Sequence, residues 1–119
     1  MTREEMTAVM EEYCRAQCTG DKASWLALFA KDIVHEDPVG KRTSNGIEEV
    51  EAFWDGFANS NLKTRLTAPI IKCANEAIVF MSAEAGPDGS RVTVEPIVDN
   101  VVFNADGKIA RVRAFYNYE

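Results

Sequence analysis

Residues 76–103, EAIVFMSAEAGPDGSRVTVEPIVDNVVF, decide the fold class of this chain. Two runs rich in Val, Ile and Phe flank the segment Gly86-Pro87-Asp88-Gly89, whose residue types favour a tight turn. Apolar runs bounded in this way are typical of β-strands. The segment therefore predicts two long strands, about Glu76 to Ala85 and Arg91 to Phe103, joined as an antiparallel hairpin.

Further β-branched stretches lie on both sides of this hairpin. Lys63 to Lys72 precedes it, and Lys108 to Tyr116 follows it after a second turn signal, Asn104-Ala105-Asp106-Gly107. The carboxyl-terminal half is therefore predicted to form about four long strands in a meander. Ile33 to Asp37 adds a brief earlier strand, which ends at Pro38 because proline cannot donate a hydrogen bond to a sheet.

The amino-terminal half has helical periodicity instead. Thr2 and Glu5 form a capping-box pattern, and apolar residues at helical spacing predict a first helix over about residues 3–18. A second, short helix would bury Trp25, Leu26, Leu28 and Phe29. After a polar turn, Lys41 to Gly46, a third helix of about twelve residues would bury Ile47, Val50, Phe53, Trp54 and Phe57. Three helices followed by strands predict an α+β domain with the helices on one face of a curved sheet.

The composition bounds the class of protein. A chain of 119 residues, with 46% apolar and 27% charged residues, is predicted to be one globular domain, residues 1–119. Its net charge of −6 argues against nucleic acid as a partner and against anionic membrane surfaces. No stretch approaches the roughly 20 apolar residues of a membrane-spanning helix, and the first fifteen residues are too acidic for a signal sequence. A cytoplasmic enzyme is the expectation.

Cysteine and histidine offer little metal or redox chemistry. Cys14, Cys18 and Cys73 are odd in number and lack C-x-x-C spacing, which predicts reduced thiols instead of disulfides or a zinc site. The single histidine lies in the run His35-Glu36-Asp37, whose side chains alternate faces on a strand and cannot converge on one metal ion. We therefore expect no metal site, and a His35 that is either hydrogen-bonded or exposed.

Asp99 conflicts with the local rules for a strand. It lies within Ile97-Val98-Asp99-Asn100-Val101-Val102-Phe103, although aspartate is depleted from strands. If both faces of the sheet are covered here, burial without a cationic partner disfavours the carboxylate, and a protonated Asp99 can donate a hydrogen bond. The alternative is that Asp99 is exposed on one face or pairs with an arginine such as Arg111 or Arg113.

Tyr13 and Asp37 are the other two polar residues of interest. Tyr13 belongs to the apolar stripe of the first helix, so its ring is expected to face inward and its hydroxyl to need a partner or a cavity. Asp37 precedes Pro38 at the end of a strand, where a carboxylate can be partly desolvated and still reachable. Each also has a plain structural interpretation, as a core tyrosine and as a turn-capping aspartate.

Four segments, spread over nearly the whole chain, form a set. They are Tyr13-Cys14-Arg15-Ala16-Gln17-Cys18-Thr19-Gly20-Asp21, Leu28-Phe29-Ala30, Glu36-Asp37-Pro38-Val39-Gly40 and Phe103-Asn104-Ala105-Asp106-Gly107-Lys108. One aspartate of this set follows a tyrosine by 24 residues, and another aspartate lies four residues before Phe103. The set resembles the bacterial steroid delta-isomerases, or ketosteroid isomerases, of the NTF2-like and SnoaL-like superfamily.

The resemblance implies a fold and a reaction. The fold would be cone-shaped and cystatin-like, with three amino-terminal helices packed on a curved, mixed and mainly antiparallel sheet. Asp37 would be the general base, while Tyr13 and Asp99 would donate hydrogen bonds to the developing oxyanion. A 3-oxo-Δ5-steroid would be converted to its Δ4 isomer by intramolecular proton transfer through a dienolate, without a cofactor. A homodimer is also implied.

The steroid would lie against apolar side chains, each of which could equally be ordinary core. The candidates for this wall are Val39, Trp54, Met81, Val101 and Tyr116. Trp54 departs from the family, which has a tyrosine there that hydrogen-bonds to the oxyanion-hole tyrosine, whereas an indole can only donate. The stretch Pro96-Ile97-Val98 is one residue longer than expected, and a β-bulge could absorb the extra residue.

Two other functions are compatible with this fold. One is a lyase or cyclase acting on another hydrophobic ketone, although such enzymes would usually need a different polar set, for instance a His-Asp pair. The other is a non-catalytic module for binding a hydrophobic ligand or for dimerisation.

Overall fold

A computed structural model describes residues 1–118 of the chain. Within these residues the elements, in chain order, are α1 (Arg3–Thr19), α2 (Lys22–Leu26), β1 (Phe29–Glu36), β2 (Thr43–Asn45), α3 (Ile47–Phe57), β3 (Lys63–Leu66), β4 (Ile71–Cys73), β5 (Glu76–Ala85), β6 (Val92–Phe103) and β7 (Ile109–Phe115). None of these helices is both long enough and apolar enough to cross a bilayer.

The strands form one seven-stranded sheet. Its order is β2-β1-β7-β6-β5-β3, and β4 pairs with the same edge of β5 as β3. The β1–β7 pair is parallel, and the other pairs are antiparallel. The α+β architecture predicted from the sequence, with helices packed on a mixed and mainly antiparallel sheet, is confirmed.

The first helix begins and ends where its sequence signals lie. The Thr2 hydroxyl accepts a hydrogen bond from the Glu5 backbone N–H at 3.0 Å, and the Glu5 carboxylate accepts one from the Thr2 N–H at 2.9 Å. Gly20 ends the helix in the left-handed region, at a φ of 70° that glycine adopts without steric cost. These caps set the two ends of α1, the helix that carries Tyr13.

The second helix is shorter than its apolar pattern predicts. It ends at Leu26, and Phe29 begins β1 instead of completing the helix. The cause is a tertiary pairing, because the Leu28 carbonyl accepts a hydrogen bond from the Ile109 N–H at 2.9 Å and Phe29 lies in register with Ile109 of β7. Strand β1 is consequently four residues longer at its start than the predicted strand Ile33 to Asp37.

Two other expectations about strands were wrong. The predicted strand Lys63 to Lys72 is divided into β3 and β4 by residues 67–70, which include Pro69. Proline lacks the N–H that a continuous strand would donate, so the break falls where the chain cannot extend the ladder. The polar stretch Lys41 to Gly46, expected to be a turn, contains the short edge strand β2 paired with β1.

The extra residue before Asp99 is absorbed by a β-bulge, as expected. Met81 pairs with Ile97 and Ala83 pairs with Val94, so two steps along β5 lie opposite three steps along β6. A bulge reverses the alternation of side chains along its strand. Val94 and Ile97 therefore face the same side of the sheet, and Asp99 points inward with 4% of its surface exposed.

His35 differs from the expectation that it would be hydrogen-bonded or exposed. It is buried on β1 between Phe29 and Phe53, with ring centroids 6.3 and 4.8 Å away. Neither ring nitrogen has a hydrogen-bond partner within the described residues. Burial, assisted by the positive charge of Arg42, lowers the pKa of His35 to about 4. The imidazole is therefore an uncharged core side chain at neutral pH.

We predict that His35→Leu stabilises the protein, and that it does so more in acid than at neutral pH. A buried polar atom without a hydrogen-bond partner costs about 1–3 kcal/mol, and leucine has no such atom. Because the unfolded state binds the His35 proton more readily than the folded state, the wild-type protein loses stability as the pH falls from about 6.5 toward about 4, by about 3 kcal/mol in all. Urea unfolding of both proteins at about pH 7 and about pH 5 measures this difference. An identical difference at the two pH values would contradict the assignment.

Candidate active site

Tyr13, Asp37 and Asp99 line one cavity of about 200 Å³. Its walls come from α1, α3 and strands β3, β5 and β6, so the cavity lies between the helices and the sheet. Apart from these three residues, the lining is mostly apolar and comprises Gln17, Phe53, Phe57, Leu62, Thr64, Met81, Ala83, Val94, Ile97 and Tyr116. The sequence-predicted polar trio is thus brought together in one largely apolar site.

Tyr13 is held by aromatic packing. Its ring lies 5.5 Å from that of Trp25 and 6.2 Å from that of Phe29, measured between centroids, and only 3% of the residue is exposed. Burial raises the pKa of Tyr13 well above its usual value, and the neighbouring Asp99 and Asp37 raise it further. The phenol therefore stays neutral and can donate its O–H proton.

Asp99 is buried without a cationic partner within the described residues. Its Oδ1 has no hydrogen-bond partner there, and burial, followed by the proximity of Asp37, raises its pKa to about 8. Arg111 and Arg113 lie on the other face of the sheet, where each approaches a carboxylate oxygen of Glu36 at 3.3 Å. The alternatives of an exposed or arginine-paired Asp99 are thereby excluded, and the group is a protonated acid at neutral pH.

Asp37 occupies the turn that follows β1. Its backbone N–H donates to the Arg42 carbonyl at 2.9 Å, and its Oδ1 accepts a hydrogen bond from the Tyr116 hydroxyl at 2.7 Å. Burial raises the pKa of Asp37, whereas the Tyr116 hydrogen bond and the charge of Arg42 lower it. Asp37 is therefore partly desolvated, yet it has a donor and a cation favouring the ionised form that Asp99 lacks.

The five proposed wall residues divide into two groups. Met81 and Tyr116 line the cavity. Trp54 does not line it, because its ring packs 5.0 Å from that of Trp25 in the core. Val101 does not line it either, although it is buried on the same face of β6 as Asp99. Val39 lines a separate depression beside Pro38 and Pro96. The Val39 backbone N–H donates a hydrogen bond to the Ala114 carbonyl at 3.0 Å.

Several cavity residues were absent from the sequence-based candidates. Phe53 and Phe57 were expected only to pack the inner face of α3. Gln17 lies four residues after Tyr13, a spacing that places both on one face of a helix and could have identified it. Val94 gave no such signal, since it faces the cavity only because of the bulge.

The positions of the possible metal ligands and of the cysteines bear on metal and thiol chemistry in the described part of the chain. Within residues 1–118, no three His, Cys, Asp or Glu side chains come together in a group that could hold a metal ion. Cys14, Cys18 and Cys73 are free thiols, and burial raises the pKa of Cys14 to about 11.

An α+β domain whose helices and sheet enclose a small apolar cavity, with a few ionisable groups facing into it, belongs to a class of ligand-binding domains and enzymes. The family model of the SnoaL-like domain matches residues 10–112 of this chain. The chain belongs to that family.

Three relatives resemble the chain over most of its length. A Steroid Delta-isomerase of Nocardioides simplex is 34% identical over 113 residues, which cover 94% of this chain and 89% of the relative. The crystal structure of RV0760c from Mycobacterium tuberculosis matches with a TM-score of 0.86 and 25% identity, over 98% of this chain and 94% of that one. The Delta 5-3-Ketosteroid Isomerase from Mycobacterium sp. matches with a TM-score of 0.83 and 27% identity, over 95% and 93% of the two chains. The NTF2-like fold and the family resemblance predicted from the sequence are confirmed.

We predict that Tyr116→Phe raises the pKa of Asp37, because it removes a hydrogen bond that favours the carboxylate while leaving the aromatic ring in place. Carbon-13 NMR titration of protein labelled at the aspartate carboxyl carbons measures this pKa, with the Asp37 signal assigned from the Asp37→Asn spectrum. Tyr118→Phe is the matched control, since Tyr118 is 58% exposed and does not line the cavity. An unchanged Asp37 titration in Tyr116→Phe would refute the proposed influence.

Proposed function

We propose that this protein is a steroid delta-isomerase that converts a 3-oxo-Δ5-steroid to its 3-oxo-Δ4 isomer without a cofactor. The observation that carries the proposal is that two neutral O–H donors, Tyr13 and Asp99, share one apolar cavity with Asp37, whose environment favours ionisation more than that of Asp99. The two similar proteins described as steroid isomerases support the substrate class.

The first step is removal of a proton. The Asp37 carboxylate takes a proton from the carbon between the carbonyl and the alkene, and the electron pair of that C–H bond moves into the conjugated system. The negative charge then develops on the carbonyl oxygen, where the Tyr13 and Asp99 O–H groups donate hydrogen bonds. Fixed neutral donors in a cavity that excludes water stabilise such a charge with little reorganisation.

The second step returns the same proton. The protonated Asp37 delivers it to the far end of the dienolate, the double bond moves into conjugation with the carbonyl, and Asp37 is again a carboxylate. The Tyr116 hydroxyl holds Asp37 during both transfers through its 2.7 Å hydrogen bond. Since the proton lost is the proton regained, the reaction balances without a redox partner or a second substrate.

The remaining cavity wall suits a flat apolar skeleton. Phe53 and Phe57 contribute aromatic surface from α3, and Met81 and Ile97 contribute aliphatic surface from the sheet. A lyase or cyclase using a His-Asp pair fits less well, because His35 is the only histidine of the chain and is packed in the core outside this cavity.

We also propose that the protein forms a homodimer through the outer face of the sheet. Helices cover the other face, whereas the outer face carries Phe115, which is 43% exposed, and a depression that includes Val98. Exposed apolar surface of this kind commonly marks a protein interface.

We predict that Asp37→Asn lowers kcat by about 10²- to 10⁴-fold, because the proton acceptor is removed while the side-chain shape is kept. Absorbance of the conjugated enone, formed from a Δ5-3-ketosteroid, reports turnover directly. Asp32→Asn, on the strand β1 that precedes Asp37, is the matched control, since Asp32 is exposed, and it should keep wild-type turnover. Full activity in Asp37→Asn would overturn the proposed base, and binding without turnover by the wild-type protein would favour a binding module.

We predict an alkaline loss of activity that depends on Asp99. Below about pH 8 the acid is protonated and donates to the oxyanion, and as the pH rises through about 8 it ionises, loses its proton and repels the dienolate. The kcat/KM of the wild-type protein, which reports ionisations of the free enzyme, should therefore fall as the pH rises through about 8. Asp99→Asn, whose amide donates at every pH, should be slower but should lack this alkaline limb. A pH–rate profile of both proteins checks this. The same alkaline limb in Asp99→Asn would assign it to another group.

A further inference from the structure

The support of Tyr13 cannot come from the position that the family resemblance indicates. Trp54 stands there, with its ring packed 5.0 Å from that of Trp25 and 5.1 Å from that of Phe57. It does not line the cavity that contains Tyr13. Any polar contact that orients the Tyr13 hydroxyl must therefore come from elsewhere.

Gln17 is placed to make that contact. It follows Tyr13 by four residues on α1, so both side chains lie on one face of the helix, and both line the cavity. A glutamine in this largely apolar wall is unexpected unless its amide has polar partners, since burying an unpaired amide is costly.

Thr64 fixes the orientation of the Gln17 amide. The Thr64 hydroxyl on β3 donates to Gln17 Oε1 at 2.8 Å, and both residues are partly buried. Because the carbonyl end of the amide is directed to the strand, the NH₂ end is left to donate elsewhere. The contact joins a side chain of α1 to the edge of the sheet.

The Tyr13 side chain shares this face of α1 and this cavity with the Gln17 amide. Burial has the largest effect on the pKa of Tyr13 and raises it, and a hydrogen bond from the Gln17 side chain opposes this by lowering it. A phenol has one proton and two acceptor lone pairs, so an oxygen that accepts from an amide keeps its own proton for another acceptor.

We propose that the carboxamide of Gln17, oriented by Thr64, donates a hydrogen bond to the Tyr13 oxygen and thereby directs the Tyr13 O–H proton toward the ligand oxygen. This inference rests on the proposed function, in which Tyr13 donates to an oxyanion. Gln17 is then a positioning residue that acts through Tyr13, and Thr64 acts through Gln17.

The test uses 4-nitrophenolate as a probe of the oxyanion site, because its binding requires no turnover and is followed by its visible absorbance. Gln17→Met keeps the length of the side chain and removes the donor, and it should weaken binding about 3- to 10-fold, the scale of one ordinary hydrogen bond. Thr64→Val should weaken binding by no more than this, and Thr64→Ser, which keeps the hydroxyl, should bind as the wild-type protein does. Thr93→Val, at an exposed position on β6, is the matched control and should have no effect.

A double-mutant cycle distinguishes action through Tyr13 from direct contact with the ligand. In a Tyr13→Phe background, Gln17→Met should cause no further loss, because the hydroxyl through which it acts is gone. Likewise, Thr64→Val should add nothing to Gln17→Met. In the steroid assay Gln17→Met should lower kcat with little change in KM, since the interaction strengthens as charge develops.

Three results would overturn the proposal. They are unchanged phenolate affinity in Gln17→Met, a Gln17→Met loss that persists in Tyr13→Phe, and a rise in KM with kcat unchanged. Failure of the proposed function looks different. The wild-type protein would leave the steroid unchanged, while Gln17→Met would still weaken phenolate binding and would do so only when Tyr13 is present.

Discussion

The burial of one carboxyl group without a cationic partner among residues 1–118 is the constraint on which the site depends. Asp99 occupies a position on β6 where the register with β5 and β7 would suit an apolar residue, and the arginines of β7 lie across the sheet with Glu36. Ionised, the group would be costly to bury, so the folded chain holds it protonated. The position therefore sacrifices some stability and gains a neutral hydrogen-bond donor in an apolar cavity, a conflict between local rules and fold that is typical of functional sites.

The same cavity raises the pKa of both aspartates, but only Asp37 has partners that oppose the rise. Both are desolvated, and each disfavours ionisation of the other through its charge when ionised. What separates them is their partners: Asp37 accepts a hydrogen bond from Tyr116 and lies within the influence of Arg42, whereas no hydrogen bond or cation among the described residues lowers the pKa of Asp99. The proposed roles of base and donor thus follow from the side chains around each carboxyl, since the two acids are chemically identical.

The sequence predicted the elements whose signals are local and missed those set by contacts between distant segments. The capping box at Thr2 and the left-handed Gly20 fixed α1 to within a residue, and the isolated Asp99 marked the site because its conflict with a strand is visible in the sequence. The start of β1 at Phe29 depends on pairing with a strand about 80 residues later in the chain, which helical periodicity cannot reveal. His35 is buried because α3 packs on β1, and no pattern within the strand predicts that its ring nitrogens lack a partner in the described part of the chain.

The aromatic cluster around Tyr13 explains why the hydrogen bond that orients its hydroxyl can come from Gln17 on α1 and not from the position of Trp54 on α3. Trp25 and Phe29 already fix the plane of the Tyr13 ring, so the polar contact needs only to orient a proton and not to hold the side chain. A residue four positions along the same helix can do this with little added conformational freedom, because the helix itself fixes the spacing. Trp54 then needs no polar contact with Tyr13 and can add apolar surface to the core. The hydrogen-bond donor to Tyr13 is instead Gln17 of α1, oriented by Thr64 at the edge of the sheet.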